Sequence, residues 1–82
     1  MNRSDITEKI TPVFRKVLNE ASLEITDQLS ANDVDNWDSL SHMLLISEIE
    51  TVFNIKFKLK ELNKMKNVGD LISIISEKLK NQ

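Results

Sequence analysis

Asp33-Val34-Asp35-Asn36-Trp37-Asp38-Ser39-Leu40 divides the chain into two kinds of sequence. Up to Asp38 the segment is acidic and rich in turn-forming residues. From Leu40 onward it is strongly apolar and helical. A serine at such a junction is ordinarily a helix cap, its oxygen accepting a bond from a backbone N–H two or three residues on. The same place also suits an anion, because first-turn N–H groups and the helix dipole favour negative charge there. Ser39 therefore has two readings: a cap only, or a cap that is also an attachment point.

Outward from Ser39, a helix is expected over 39–54. Its apolar residues are Leu40, Met43, Leu44, Leu45, Ile46, Ile49, Val52 and Phe53. Met43 to Ile46 covers more than one turn, so at least one of Met43 or Leu44 is expected to stand exposed beside Ser39. Surplus apolar surface there suggests contact with a partner. The competing reading is a central helix packed on several sides.

On the N-terminal side, residues 20–38 lack periodicity. A connection this long needs a reason. Leu23, Ile25, Leu29, Val34 and Trp37 can pin it as an ordered crossover, with the Trp37 ring closing one end of the core. Before it, Ile6, Ile10, Val13, Phe14, Val17 and Leu18 mark a helix over about 4–19, with Ser4 or Asp5 as cap and Asp5 and Glu8 as a capping box. Pro12 interrupts it. Either Thr11-Pro12 is the true start or the helix is kinked, and the phase of Ile6 and Ile10 favours the kink.

On the C-terminal side, Asn54 ends the central helix. Ile55, Phe57 and Leu59 alternate with lysines as an extended connector, apolar side inward. A short helix is expected over about 59–64. Asn67 caps a last helix over 67–80, with Asp70 three residues on. Its stripe is Leu71, Ile74, Ile75 and Leu79, with Lys78 and Lys80 at the end that favours cations. Asn81 and Gln82 are expected to fray.

Eighty-two residues allow one domain, 1–82, with a modest core. One glycine, one proline and little strand-like alternation favour an all-α fold. The absence of cysteine excludes disulfides and thiolate metal sites. No apolar run approaches the roughly 18–20 residues of a membrane span. The N-terminus lacks a signal-peptide layout, so a soluble, cytoplasmic protein is expected. The net charge of −2 hides an asymmetry. Residues 21–55 carry acids and no Lys or Arg. Residues 56–66 carry Lys56, Lys58, Lys60, Lys64 and Lys66. The middle of the chain would attract a basic partner.

Catalytic groups are few. His42, three residues after Ser39, invites a nucleophile–base pairing, but 82 residues with one glycine scarcely provide an oxyanion site and cleft. His42 reads instead as a rim residue. Asp33, Asp35 and Asp38 resemble a calcium loop, yet position 38 lacks the glycine and position 44 is Leu, so no metal site is expected. There is no phosphate-cradling glycine loop. The regular central helix is acidic, which argues against nucleic-acid binding.

Asp38-Ser39-Leu40 behind an acidic loop, a helix ending Ile49-Glu50-Thr51-Val52-Phe53-Asn54-Ile55, and Asn67-Val68-Gly69-Asp70-Leu71 together resemble an acyl carrier protein. The resemblance spans nearly the whole chain and is strongest over 33–79. It implies a four-helix bundle with three longer helices, one short helix and a long first loop. It implies that Ser39 carries 4′-phosphopantetheine, installed from coenzyme A by a phosphopantetheinyl transferase, and that the domain itself catalyses nothing. Asp38 would help engage the transferase. Leu40, Met43, Leu44, Ser47 and Glu48 would face the transferase or the acyl-loading and acyl-using enzymes, with the carrier a monomer. Asn36-Trp37 replaces the glycine-containing approach usual in fatty-acid carriers, and Leu44 and Thr51 stand where acids are common. These departures are similar to discrete carriers of specialised pathways. An unmodified helical interaction module using Met43 and Leu44 is the competing function.

Overall fold

In the computed structural model, which describes residues 1–81, Asn2 starts the first helix. Neither Ser4 nor Asp5 is the cap. Asn2 Oδ1 accepts from the Asp5 N–H at 2.9 Å, and the Asp5 carboxylate accepts from the Asn2 N–H at 3.3 Å. Asp5 thus closes its box with the residue before it, not with Glu8. Helix α1 (Arg3–Val17) runs through Pro12, whose ring lies on the exposed side. It ends at Asn19, in the left-handed region at φ 56°. The Glu20 N–H reaches back to the Arg15 carbonyl at 3.0 Å, satisfying a terminal acceptor.

Helix α2 (Ser39–Phe53) lays Leu45, Ile46, Ile49 and Phe53 into the core. It stops at Asn54, also left-handed at φ 55°, a conformation asparagine tolerates better than most residues. Helix α3 (Leu59–Asn63) is a short bridge. Helix α4 (Val68–Lys80) is capped by Asn67, whose Oδ1 accepts from the Asp70 N–H at 2.9 Å. α1 packs against both α2 and α4, and Phe14, Ile10 and Ile6 fill the space between them. The expected all-α four-helix architecture is the one observed.

Two details depart from the sequence reading. The α4 stripe buries Val68 and Ile72 with Leu71 and Ile75, while Ile74 and Leu79 are only half-buried. The loop docks on the first turn of α4 and widens its buried arc. The connector alternation fails at Leu59, which is 73% exposed. Leu59 is already the first residue of α3, so helical rather than extended geometry sets its direction. Ile55 is buried, and Phe57 lies under the Lys78 ammonium, 5.9 Å from its ring centre. Lys78 also pairs with Glu61 at 2.8 Å, tying α3 to α4. The fraying expected at Gln82 lies outside the described residues.

The crossover between α1 and α2 is held by main-chain bonds. The N–H groups of Val68 and Gly69, orphans of the α4 N-terminus, donate to the Leu29 and Asp27 carbonyls at 2.9 Å each. The Arg3 guanidinium spans the Asp27 carboxylate at 3.2 Å and the Ser73 hydroxyl at 3.0 Å. So close an approach explains the only glycine: a Cβ on Gly69 would lie 3.2 Å from both Asp27 Cβ and Asp27 O. At the other end, Asn36 Nδ2 donates to the Leu18 carbonyl at 3.0 Å and Arg15 Nε to that of Leu23 at 3.0 Å. A short 3₁₀ turn, Ala31–Asp33, then leads through buried Val34 and Trp37 to the start of α2.

Candidate functional site at the start of helix α2

Asp38, not Ser39, caps α2. Asp38 Oδ1 accepts from the Ser41 N–H at 2.9 Å, and Ser41 Oγ accepts from the Asp38 N–H at 2.9 Å. The Ser41 hydroxyl donates to the Asn36 carbonyl at 2.7 Å and is buried. The reason lies in register. With Asp38 as cap, Ser41 occupies the third helical position and closes a reciprocal box. With Ser39 as cap, that position would fall to His42, whose ring is engaged elsewhere. Bonding from the Ser41 N–H, above all, holds the Asp38 carboxyl below its ordinary range.

Ser39 is consequently the first residue of the helix proper. It is exposed, and its hydroxyl makes no hydrogen bond among the described residues. Two donors of the first turn are already committed, the Ser41 N–H to the Asp38 carboxylate and the His42 N–H to the Asp38 carbonyl at 2.9 Å. Asp38 thus supplies one negative group at this terminus, taken up by the Ser41 N–H.

Trp37 and His42 form a second unit. Trp37 Nε1–H donates to His42 Nδ1 at 3.1 Å, and the two rings lie edge to edge and nearly coplanar, 6.2 Å between centroids with 21° between planes. Trp37 also meets Phe14 edge-on at 5.3 Å, which anchors the pair to the core. Desolvation holds the His42 imidazole below its ordinary value. With Nδ1 accepting, the neutral ring carries its proton on Nε2. The sequence reading placed His42 on the rim and missed this pairing. Its only sequence signal is the separation of five residues across a helix start.

Ser39, His42 and Met43 line one side of a cavity of about 500 Å³; Met65, Lys66 and Leu71 face them from before and within α4. On the outer side of α2, Leu40 is 73% exposed, Met43 57% and Leu44 53%. Both Met43 and Leu44 are thus outward, where only one was required. Ser39, Met43 and Ser47 form one four-residue row and Leu40, Leu44 and Glu48 the adjacent one. Ser47 is exposed, while Glu48 is half-buried and pairs with Lys16 of α1 at 3.6 Å. The acids before the helix are not gathered: Asp33 accepts from the Ser30 N–H at 3.0 Å within its own turn, and Asp38 caps α2.

A free, exposed hydroxyl at the mouth of a mostly apolar cavity fits a phosphodiester-linked arm. No protein-family model matches the chain. The acyl carrier protein of Streptococcus pyogenes is 33% identical over 75 residues, 92% of this chain and 97% of that one. The chain belongs to the acyl carrier protein family. The acyl carrier protein of Thermotoga maritima is 28% identical over 78 residues, 95% of this chain and 96% of its own. The solution structure of a holo acyl carrier protein from Geobacter metallireducens superposes with a TM-score of 0.87 at 49% identity, covering 93% of this chain and 87% of that one. A putative acyl carrier protein from Mycobacterium tuberculosis gives a TM-score of 0.78 at 26% identity over 88% and 96% of the two chains. This carrier holds acyl groups on covalently attached phosphopantetheine, and family membership does not favour the unmodified interaction module. Among the described residues, no helix is long and apolar enough to cross a membrane.

Proposed function

We propose that Ser39 is the attachment point of the 4′-phosphopantetheine arm and that the face formed by Leu40, Met43, Leu44, Ser47 and Glu48 meets the enzymes that load and use it. One observation carries the assignment. The Ser39 hydroxyl is exposed and free of hydrogen bonds among the described residues, while Ser41, two residues on, has its oxygen committed on both sides. The arm supplies a terminal thiol on which an acyl or aminoacyl group is held as a thioester. Asp38 keeps the first turn formed, so Ser39 projects in a fixed direction toward a transferase. The chain presents its cargo and leaves the chemistry to separate enzymes, acting as a single monomeric domain in the cytoplasm.

The partner set is that of a specialised pathway rather than housekeeping fatty-acid synthesis. The exposed α2 surface supports this reading: it offers three large apolar side chains, and Glu48 is already paired with Lys16. The test is intact mass after co-expression with a broad-specificity phosphopantetheinyl transferase. The wild-type chain gains one phosphopantetheine, and Ser39→Ala gains none. Loading of Ser39→Ala, or no gain by the wild type with several transferases, would overturn the assignment.

A further inference from the structure

We propose that His42 is a binding residue for the arm, its Nε2–H donating to the phosphodiester carried on Ser39. The proposal rests on the reading that Ser39 carries that arm. Three observations converge on it. Ser39 and His42 are three residues apart on one helix, so their side chains are neighbours. Both line the same cavity. Trp37 Nε1–H occupies His42 Nδ1, which leaves Nε2 as the donor.

Part of the first-turn backbone is already committed. The N–H groups of Ser41 and His42 are bonded to Asp38. The charged groups facing the cavity are Asp38 from the crossover and Lys66 from the segment before α4; α4 itself and its cap contribute Leu71 and Asn67. Burial disfavours the imidazolium. Trp37 opposes it too, since a protonated Nδ1 can no longer accept the indole N–H. An imidazole so restrained is a neutral donor near neutral pH. A phosphodiester beside it adds one fixed negative charge, which favours proton binding.

The apo and holo proteins, each verified by intact mass, are titrated from about pH 5 to 8, where imidazole alone changes charge among ordinary side chains. His42 is followed through its ring resonances, and Trp37, the single tryptophan, through its fluorescence. The ³¹P resonance of the holo protein is followed in parallel. In the holo protein the imidazole midpoint lies about one pH unit higher than in the apo protein. The ³¹P shift titrates with that same midpoint and becomes flat in His42→Phe. Equal midpoints in the two forms, with a flat ³¹P shift in the wild type, would overturn the proposal and leave His42 as a partner for Trp37 only. That comparison needs no variant to fold. A wild-type chain that fails to gain mass on Ser39 would overturn the attachment reading and this proposal with it. A loaded chain with an unmoved His42 would overturn this proposal alone.

Discussion

Ser39→Ala and Ser41→Ala are two removals of a hydroxyl, two residues apart, with opposite expected consequences. Ser41 Oγ accepts from the Asp38 N–H at 2.9 Å and donates to the Asn36 carbonyl at 2.7 Å. Its removal leaves both backbone groups without that partner and opens half of the α2 capping box. A protein hydrogen bond contributes about 0.5–1.5 kcal/mol net. Asp38 and Asn36 are exposed residues, so water can replace part of each bond. The expected loss is about 1–2 kcal/mol. For a domain of this size, each kcal/mol lowers Tm by about 4–8 °C, giving a drop of about 5–15 °C. Ser39 Oγ makes no bond, so Ser39→Ala should change stability by less than about 0.5 kcal/mol. Thermal unfolding followed by far-UV circular dichroism, with urea denaturation as a second measure, separates the two. Mass spectrometry after co-expression gives the reverse order: Ser41→Ala is loaded and Ser39→Ala is not. A Tm loss in Ser39→Ala as large as that in Ser41→Ala would refute the capping assignment, because it would make Ser39 the structural serine.

Pro12 lies on the exposed side of α1, where it removes one main-chain bond and crowds the Glu8 carbonyl. Pro12→Ala should stabilise the chain by about 1–2 kcal/mol, the helical gain being partly offset by a freer unfolded chain; a lower urea midpoint would contradict this. Ile72 is 1% exposed, so Ile72→Val should cost about 0.5–1.5 kcal/mol, and Ile74→Val, at a half-buried site, less; equal losses would contradict the observed α4 register. In the folded apo protein His42 binds a proton less readily than at its ordinary value of 6.5, because burial disfavours the charged ring. The unfolded chain then binds more protons, so stability should fall as pH drops through about 6.5 toward the lower folded value. Asp38 and Glu61 have lowered values and should add losses below their ordinary 3.8 and 4.5. Urea midpoints in small pH steps check both windows, and a midpoint unchanged between pH 7.5 and the carboxylate range would contradict the first. Transferase binding should depend weakly on salt if Leu40, Met43 and Leu44 dominate the contact; a steep decline would shift weight to the acidic crossover.

Local chemistry made much of this carrier legible without coordinates. The spacing of Ile6, Ile10, Val13 and Phe14 defined the buried face of α1. Asn67 with Asp70 marked the start of α4, and Asn54 the end of α2. The excess of apolar residues from Met43 to Ile46 required an exposed one beside Ser39, and both Met43 and Leu44 are. These are readings of periodicity and capping, which depend on residues at most four apart.

What the sequence left open depended on contacts between distant segments or on a register of one residue. Asp38-Ser39 offers two acceptable caps in adjacent positions, and residue preference alone does not separate them. The choice came from Ser41, whose hydroxyl reaches the Asn36 carbonyl, and from Trp37, which takes up the His42 ring. Val68 joined the core where the crossover folds onto the first turn of α4. The sequence by itself therefore determined the helices, their apolar faces and a serine at the critical junction. Tertiary structure alone decided that this serine is free rather than a cap, because that depended on which competing hydrogen bonds the folded crossover completes.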